Sequence, residues 1–292
     1  MIGTLPGMLI RMFKALGRSA TRPGNRDSST EVLERINDSP PQRMDRLNRA
    51  HGAAAVDLHL DILYGGLRIG SHRLLDLVQS CLADSDTAMP PAKAFHRPLA
   101  SYFLAHYFLH ALGVEGERAE CGVFHGTSAL LLCRAAQSRD PAYAGAGFHL
   151  IDSFEGLDEP TDEDRFDVPR ADGEVTSLSI KKGSFAAPME KVRASLGHFP
   201  KVTYHKGWIP NVLDALTPSP WSFVHLDVDH YEPTYSSLAY FYPRLSRGGV
   251  IICDDYGAPM FPGAHRAWDR FCDEQQVPYV VLDTGQSVIL KS

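Results

Sequence analysis

WSFVHLDVDHYEPTYSSLAYFYPRLSRGGVIICDDYG, residues 221–257, decides the fold. One apolar run, WSFVHL, leads into Asp227 and Asp229; a second, GGVII, leads into Asp254 and Asp255. The stretch between them, Pro233 to Leu245, has the length of a helix. The order is strand, helix, strand, and a right-handed crossover of that kind makes the two strands parallel. Adjacent strands lie about 4.8 Å apart. Both acidic pairs then reach the same carboxyl edge of the sheet, where open α/β sheets bind their ligands. Carboxylates that close repel unless a cation neutralises them or one takes a proton. An all-oxygen set suits a hard ion such as Mg²⁺, which keeps waters and shares its site with substrate oxygens. For any one of the four, a solvated helix cap is the plainer reading.

Moving toward the N-terminus, AECGVFHGTS (119–128) reads as strand, glycine turn, helix. It is E-x-G-x-x-x-G, not the G-x-G-x-x-G of enzymes that seat a pyrophosphate on a helix N-terminus. Gly122 and Gly126 allow close approach of a ligand, although any tight strand–helix turn favours glycine. The next strand ends in FHLIDSFEGL, placing Asp152 about 30 residues after the glycine turn. An acid there can accept hydrogen bonds from two ribose hydroxyls. Together the turn and Asp152 indicate a nucleoside-like cofactor. A third turn, HKGWIP (205–210), presents Trp208 either to an adenine or to the core.

From about Arg118 onward, strands are expected at 118–123, 146–152, 201–206, 221–227, 248–253, 277–283 and 286–291. Helices are expected at 126–138, 188–197, 209–216, 233–245 and 263–275. This alternation specifies an α/β fold with a doubly wound, mostly parallel seven-stranded sheet. The turn Asp283-Thr284-Gly285-Gln286 makes the last strand antiparallel, so the sheet should end in an antiparallel strand. The connection 153–187 is long for an α/β unit. Its DEPTDEDRFD (158–167) holds six carboxylates in ten residues. It is either a solvated loop or a mobile lid.

Residues 53–112 carry helical periodicity, in LLDLVQSCL (74–82) and LASYFLAHYFLHAL (99–112), and form a candidate helical cap. Residues 1–52 read as a flexible extension and linker, with at most a short helix at 30–37, and 113–292 as the main domain. The opening MIGTLPGMLIRMFKAL is too short to span a membrane and lacks the order of a signal peptide. No other run approaches the length of a span. Of 292 residues, 44% are apolar and 22% charged, an ordinary soluble balance. A net charge of −6 argues against nucleic acid as the main partner. The five cysteines form no C-x-x-C pair and read as reduced, mostly buried thiols in a cytoplasmic protein. A homo-oligomer is compatible with this composition.

AECGVFHGTS, IDSFEGL, YHKGWIPNVL, the 225–257 block and FPGAHRAWDRF closely resemble the macrocin O-methyltransferase (TylF-like) family. The resemblance covers 118–292, about 60% of the chain. It implies a class I, Rossmann-like methyltransferase that uses S-adenosylmethionine and Mg²⁺ to methylate sugar hydroxyls of natural products. Asp227, Asp254 and Asp255 match the family's Mg²⁺ ligands, and Asp229 its general base; His230 is a second candidate base. Glu120, Gly122, Gly126 and Asp152 fall on the cofactor pattern. Phe124, Thr127, Ser153, Phe154, Gly207 and Trp208 complete the candidate cofactor set from the same three turns. The chain departs from the family at Phe124-His125, commonly Trp-Arg, and at His230, commonly Leu. These departures bear on the acceptor, expected to be a small hydroxyl-bearing, glycosidic molecule.

The main rival is a glycosyltransferase that uses Asp227-Val228-Asp229 as a D-x-D motif. An NAD-dependent reductase lacks both the phosphate fingerprint and a Tyr-x-x-x-Lys pair. A non-catalytic nucleoside-binding scaffold is a third reading, which an intact set of four carboxylates disfavours. Among the other histidines, His149, His205 and His225 lie in expected strands without metal-ligand spacing. His106 and His110 share a helix face but lack further zinc ligands.

Overall fold

The computed structural model describes residues 60–61, 63–87, 96–169, 174–217 and 219–292. The expectations for residues 1–52 lie outside these residues. The chain order is β1 (Arg68–Ile69), β2 (His72–Arg73), α1 (Leu74–Asp84), α2 (His96–Ala111), β3 (Glu117–Cys121), α3 (Thr127–Gln137) and β4 (Phe148–Asp152). It continues with β5 (Phe166–Pro169), β6 (Val175–Leu178), α4 (Met189–Ser195), β7 (Thr203–Lys206), β8 (Trp221–Leu226) and α5 (Tyr231–Phe241). The last elements are β9 (Leu245–Cys253), α6 (Pro262–Gln275), β10 (Val280–Val281) and β11 (Ser287–Leu290).

Seven strands form the central sheet in the order β10-β11-β9-β8-β3-β4-β7. β3, β4, β7, β8 and β9 are mutually parallel. Every residue of β8 is buried, as expected of a parallel strand covered on both faces. Chain order reverses between β3 and β8, which makes their carboxyl ends the switch point where such sheets bind ligands. Register brings the functional turns level. Cys121 pairs with both Ile151 and Leu226, and Leu226 with Cys253. The ladder then runs one residue further, Gly122 to Ile151, Asp227 to Cys121 and Asp254 to Leu226, at 2.9–3.0 Å.

Alternating side chains divide the core in two. One face packs Phe223, Val250 and Ile252 against α1, α2 and α3, with Phe108 centred 5.2 Å from both Phe148 and Phe223. The other packs Val224, Leu226 and Ile251 against α5 and α6, through Leu238, Phe241, Trp268 and Phe271. In the described part of the expected helical cap, α1 and α2 share the core of the sheet, while residues 68–73, expected as helix, form the short antiparallel pair β1–β2. All five cysteines are free and buried. Among the described residues, no helix is long and apolar enough to cross a membrane.

Three local expectations change. The antiparallel strand β11 lies between β9 and β10, so the two-residue β10 forms the edge. Residues 211–215 make a 3₁₀ turn rather than an α-helix, in a stretch that Pro210 and Pro220 keep too short for one. α5 stops at Phe241 and passes into a 3₁₀ turn over Tyr242–Arg244, where Pro243 removes a backbone donor.

The acidic connection is partly structured. Thr161 caps a 3₁₀ turn at Asp162–Asp164, and β5 and β6 then form an antiparallel hairpin. Asp164 is buried: its Oδ2 accepts from Thr161 N and Oγ1, both at 2.8 Å, and its Oδ1 accepts from Tyr231 N at 2.7 Å. Tyr231 opens α5, whose own N-cap, His230, makes no side-chain cap. Asp164 thus satisfies an orphan donor of a remote helix.

Candidate active site

The parallel strands deliver their C-terminal turns to one cavity of about 600 Å³, a size suited to a small ligand. At the first turn Gly122 has φ +81°, and a Cβ there would lie 1.8 Å from the Asp227 carbonyl oxygen. The glycine therefore lets the cofactor-side and acidic turns touch. Gly126, φ +79°, caps α3. Asp152 closes the second turn: Oδ2 accepts from Val123 N at 2.6 Å and Phe124 N at 3.3 Å, and Oδ1 from Phe154 N at 2.6 Å. It holds the glycine turn against its own and retains lone pairs toward the cavity.

Most of the expected cofactor set lines this cavity: Gly122, Phe124, Thr127, Asp152, Ser153, Gly207 and Trp208. Trp208 donates Nε1–H to the Gly156 carbonyl at 3.2 Å, which orients its ring beside the second turn. Ser153 spends its hydroxyl on Gly156 O, at 2.7 Å. Thr127 Oγ1 belongs to a hydroxyl cluster with Ser85 (2.7 Å) and Thr87 (2.9 Å), and Thr87 reaches His125 Nδ1 at 3.2 Å. Three residues are placed elsewhere. Gly126 packs toward α4, where a Cβ would lie 3.0 Å from Val192 Cγ1. Phe154 is buried in the core. Glu120 is fully buried behind the turn, accepting from Ser128 Oγ at 2.5 Å.

The aspartates part company. Carboxylate oxygens of Asp227, Asp229 and Asp255 lie within 4.8 Å of one another. Asp229 has φ +63°, an uncommon conformation for a residue with a side chain, and its N–H donates to Asp255 Oδ2 at 2.9 Å. Asp254 lines the same cavity but has different partners. Its Oδ1 accepts from Gln286 Nε2 at 2.8 Å, and its Oδ2 lies 3.4 Å from Arg97 Nη1. His225, buried in β8, sits 3.8 Å from both Asp254 Oδ1 and Glu120 Oε1.

These placements set the charges. Burial, then repulsion from Asp254, pushes Asp227 up to about 6. Burial and the charges of Asp229, Asp227 and Asp254 push Asp255 well above the ordinary range. Burial alone would also raise Asp254, but His225 and Arg97 outweigh it and hold that carboxyl low. Burial disfavours charge on His225, yet Asp254 and Glu120 carry it up to about 10. The three-aspartate cluster crowds hard oxygen donors whose burial and mutual repulsion oppose ionisation of Asp227 and Asp255, and such a set fits a divalent cation. His230 is buried beside it, and its Nε2 has no hydrogen-bond partner among the described residues. Burial lowers its basicity against the opposing pull of Asp164 and Asp158.

Sequence reading missed Arg97, Gln286, Asp164 and the role of His225. Only His225 left a signal, as the ionisable residue within the apolar run WSFVHL.

The family model described as Macrocin-O-methyltransferase (TylF) matches residues 106–287. The 8-demethyl-8-(2,3-dimethoxy-alpha-L-rhamnosyl)-tetracenomycin-C 4'-O-methyltransferase of Streptomyces olivaceus is 32% identical over 148 residues, 49% of this chain and 54% of that protein. The demethyldecarbamoylnovobiocin O-methyltransferase of Streptomyces niveus is 29% identical over 165 residues, 54% of this chain and 58% of its own. The chain thus spans little more than half the length of the curated relatives it matches. Among solved structures, the O-methyltransferase NovP superposes with a TM-score of 0.54 at 20% identity, over 82% of this chain and 99% of that one. The calicheamicin methyltransferase CalS11 gives 0.55 at 18% identity, over 93% and 99%. Both share the fold.

Proposed function

The chain belongs to the macrocin-O-methyltransferase (TylF) family, and from that premise we propose that it methylates a hydroxyl of a sugar or other vicinal diol in a natural product or glycan. S-adenosylmethionine is the proposed donor and Mg²⁺ the proposed metal. One observation carries this reading: the Asp227, Asp229 and Asp255 carboxylates converge in the same cavity as the glycine turn and Asp152. The relatives named above methylate a rhamnosyl-tetracenomycin and a demethyldecarbamoylnovobiocin, which supports a glycosidic natural product as acceptor. The same family match favours methyl transfer over D-x-D glycosyl transfer. Five free, buried thiols agree with a cytoplasmic site of action.

When bound, the sulfonium supplies a methyl group with a good leaving group, and the divalent ion supplies polarisation of the acceptor oxygen. The protein's part is alignment, charge and proton removal. Gly122 and Gly126 shape the cofactor turn, and Asp152 offers its remaining lone pairs to a ribose. Asp227 and Asp255 would hold the ion; Asp254, the third expected ligand, lines the same cavity and is held there by Arg97 and Gln286. Asp229 receives the acceptor proton. His230 is the second reading for that step, favoured by its unpartnered Nε2.

Calorimetric titration of S-adenosylhomocysteine, with UDP-sugars as controls, in Mg²⁺ and then in EDTA, tests the class. Binding of S-adenosylhomocysteine alone is expected. Binding only of a UDP-sugar, and only with metal, would replace methyl transfer by glycosyl transfer. Activity that survives excess chelator refutes the metal.

A further inference from the structure

Three phenylalanines from separate parts of the chain meet at the mouth of the cavity. Phe124 comes from the glycine turn, Phe185 from the connection between β6 and α4, and Phe261 immediately precedes α6. Phe124 and Phe185 centroids lie 6.0 Å apart at 84°, and Phe185 and Phe261 6.3 Å apart at 69°. All three line the cavity that holds the carboxylates.

Two of the rings are placed at a cost. Phe124 is 38% exposed and Phe185 44%, with φ +47° and +61°. Left-handed backbone at a residue with a side chain is strained, and such strain concentrates at ligand sites. Neither ring recovers that cost by full burial in the core. One face of Phe124 is stacked on His125, with 4.0 Å between centroids, and the edge-to-face contact with Phe185 leaves its other face for a further aromatic ring. The cavity is therefore two-sided, with an acidic floor and an aromatic rim. Charge narrows the occupant. Asp158, Glu159 and Glu232 add acids to the lining, and Arg97 is the one Lys or Arg among the described lining residues. An anionic ring would be repelled.

We infer that Phe124, Phe185 and Phe261 form a subsite for a neutral, flat, apolar ring system carried by the acceptor beyond its reacting hydroxyl. The assignment to the acceptor rests on the methyltransferase reading of the floor. The substrate is then amphiphilic, with its diol at the carboxylates and its ring body against the rim. Phe185 and Phe261 are the specificity-determining residues, since Phe124 also belongs to the cofactor turn.

The test uses the full chain and N-phenyl-1-naphthylamine, a neutral fluorescent ring compound, titrated with and without S-adenosylhomocysteine. Saturable binding at one site is expected, weakened about tenfold in Phe185→Ala and in Phe261→Ala, in line with loss of one aromatic contact. Affinity for S-adenosylhomocysteine and the melting temperature should stay at wild-type values. Phe185→Leu and Phe261→Leu, which keep an apolar side chain, should lose less than the alanine variants. Unsaturable probe binding, or equal affinity in wild type and all variants, overturns the subsite. A matching loss of S-adenosylhomocysteine affinity in both alanine variants assigns the rim to the cofactor and also overturns it. If wild type fails to bind S-adenosylhomocysteine while the probe still binds and the variants lose it, the methyltransferase reading falls and the ring subsite stands.

Discussion

Asp254 and Asp255 are neighbours in sequence with opposite surroundings. Asp255 shares a carboxylate cluster with Asp227 and Asp229, while Asp254 is held by Arg97, Gln286 and His225. Their substitutions should separate. Asp255→Asn should lower Mg²⁺ affinity while S-adenosylhomocysteine still binds, as read by calorimetry of each ligand. Arg97→Ala leaves a largely buried carboxylate short of its cation and should cost roughly 1–3 kcal/mol of stability, with partial recovery in Arg97→Lys. Urea unfolding measures this, and a wild-type midpoint for Arg97→Ala would show that Arg97 carries no charge-balancing role. For proton removal, Asp229→Asn should reduce turnover by about 10²–10⁴ and His230→Asn by less than tenfold. The reverse order makes His230 the base. Sequence spacing marked all four aspartates but not how they divide, because Arg97 lies 157 residues from Asp254.

At the scale of elements, the strand–helix alternation was legible because apolar runs and glycine turns act within a few residues. The acidic connection was not. One of its six carboxylates, Asp164, is buried and caps α5 across 67 residues. Gly263 keeps the space for it: a Cβ there would meet Asp164 Oδ1 at 2.0 Å. Asp164→Ala should cost about 1–2 kcal/mol, the range for a lost N-cap. It should also speed amide exchange over 158–169 and at Tyr231. Unchanged exchange there would show that the segment is anchored by other contacts. A lid that moves over the site, proposed from the length of 153–187, must then pivot outside this anchor.

Across the whole molecule, β4 and β7 bring together two histidines that sequence spacing left unrelated. His149 Nδ1 and His205 Nε2 lie 2.9 Å apart, and Glu117 Oε2 lies 3.5 Å from His149 Nε2. Burial lowers the pKa of both rings below 6.5; the neighbouring His149 lowers that of His205 further, and Glu117 partly opposes the shift at His149. A depressed folded-state pKa means the unfolded chain binds more protons below about pH 6.5, so the pair favours the folded state above that pH and loses its contribution as pH falls. Asp227, raised to about 6, acts in the opposite sense. The useful comparison is therefore wild type against a His149→Gln, His205→Gln double variant at each pH. The variant should show a flatter decline of urea midpoint between about pH 7 and pH 5; parallel declines would sink the assignment.

By itself, the sequence determined the parallel sheet, its carboxyl-edge turns, the antiparallel C-terminal strand and the glycine and aspartate turns that line the cavity. Those features follow from period, turn chemistry and spacing, which are local properties of the chain. Only the tertiary structure decided which carboxylates share a site, which histidines are paired, what anchors the acidic connection, and that three phenylalanines close one rim. Those outcomes depend on side chains that packing brings together from distant elements, and no local pattern specifies such partners.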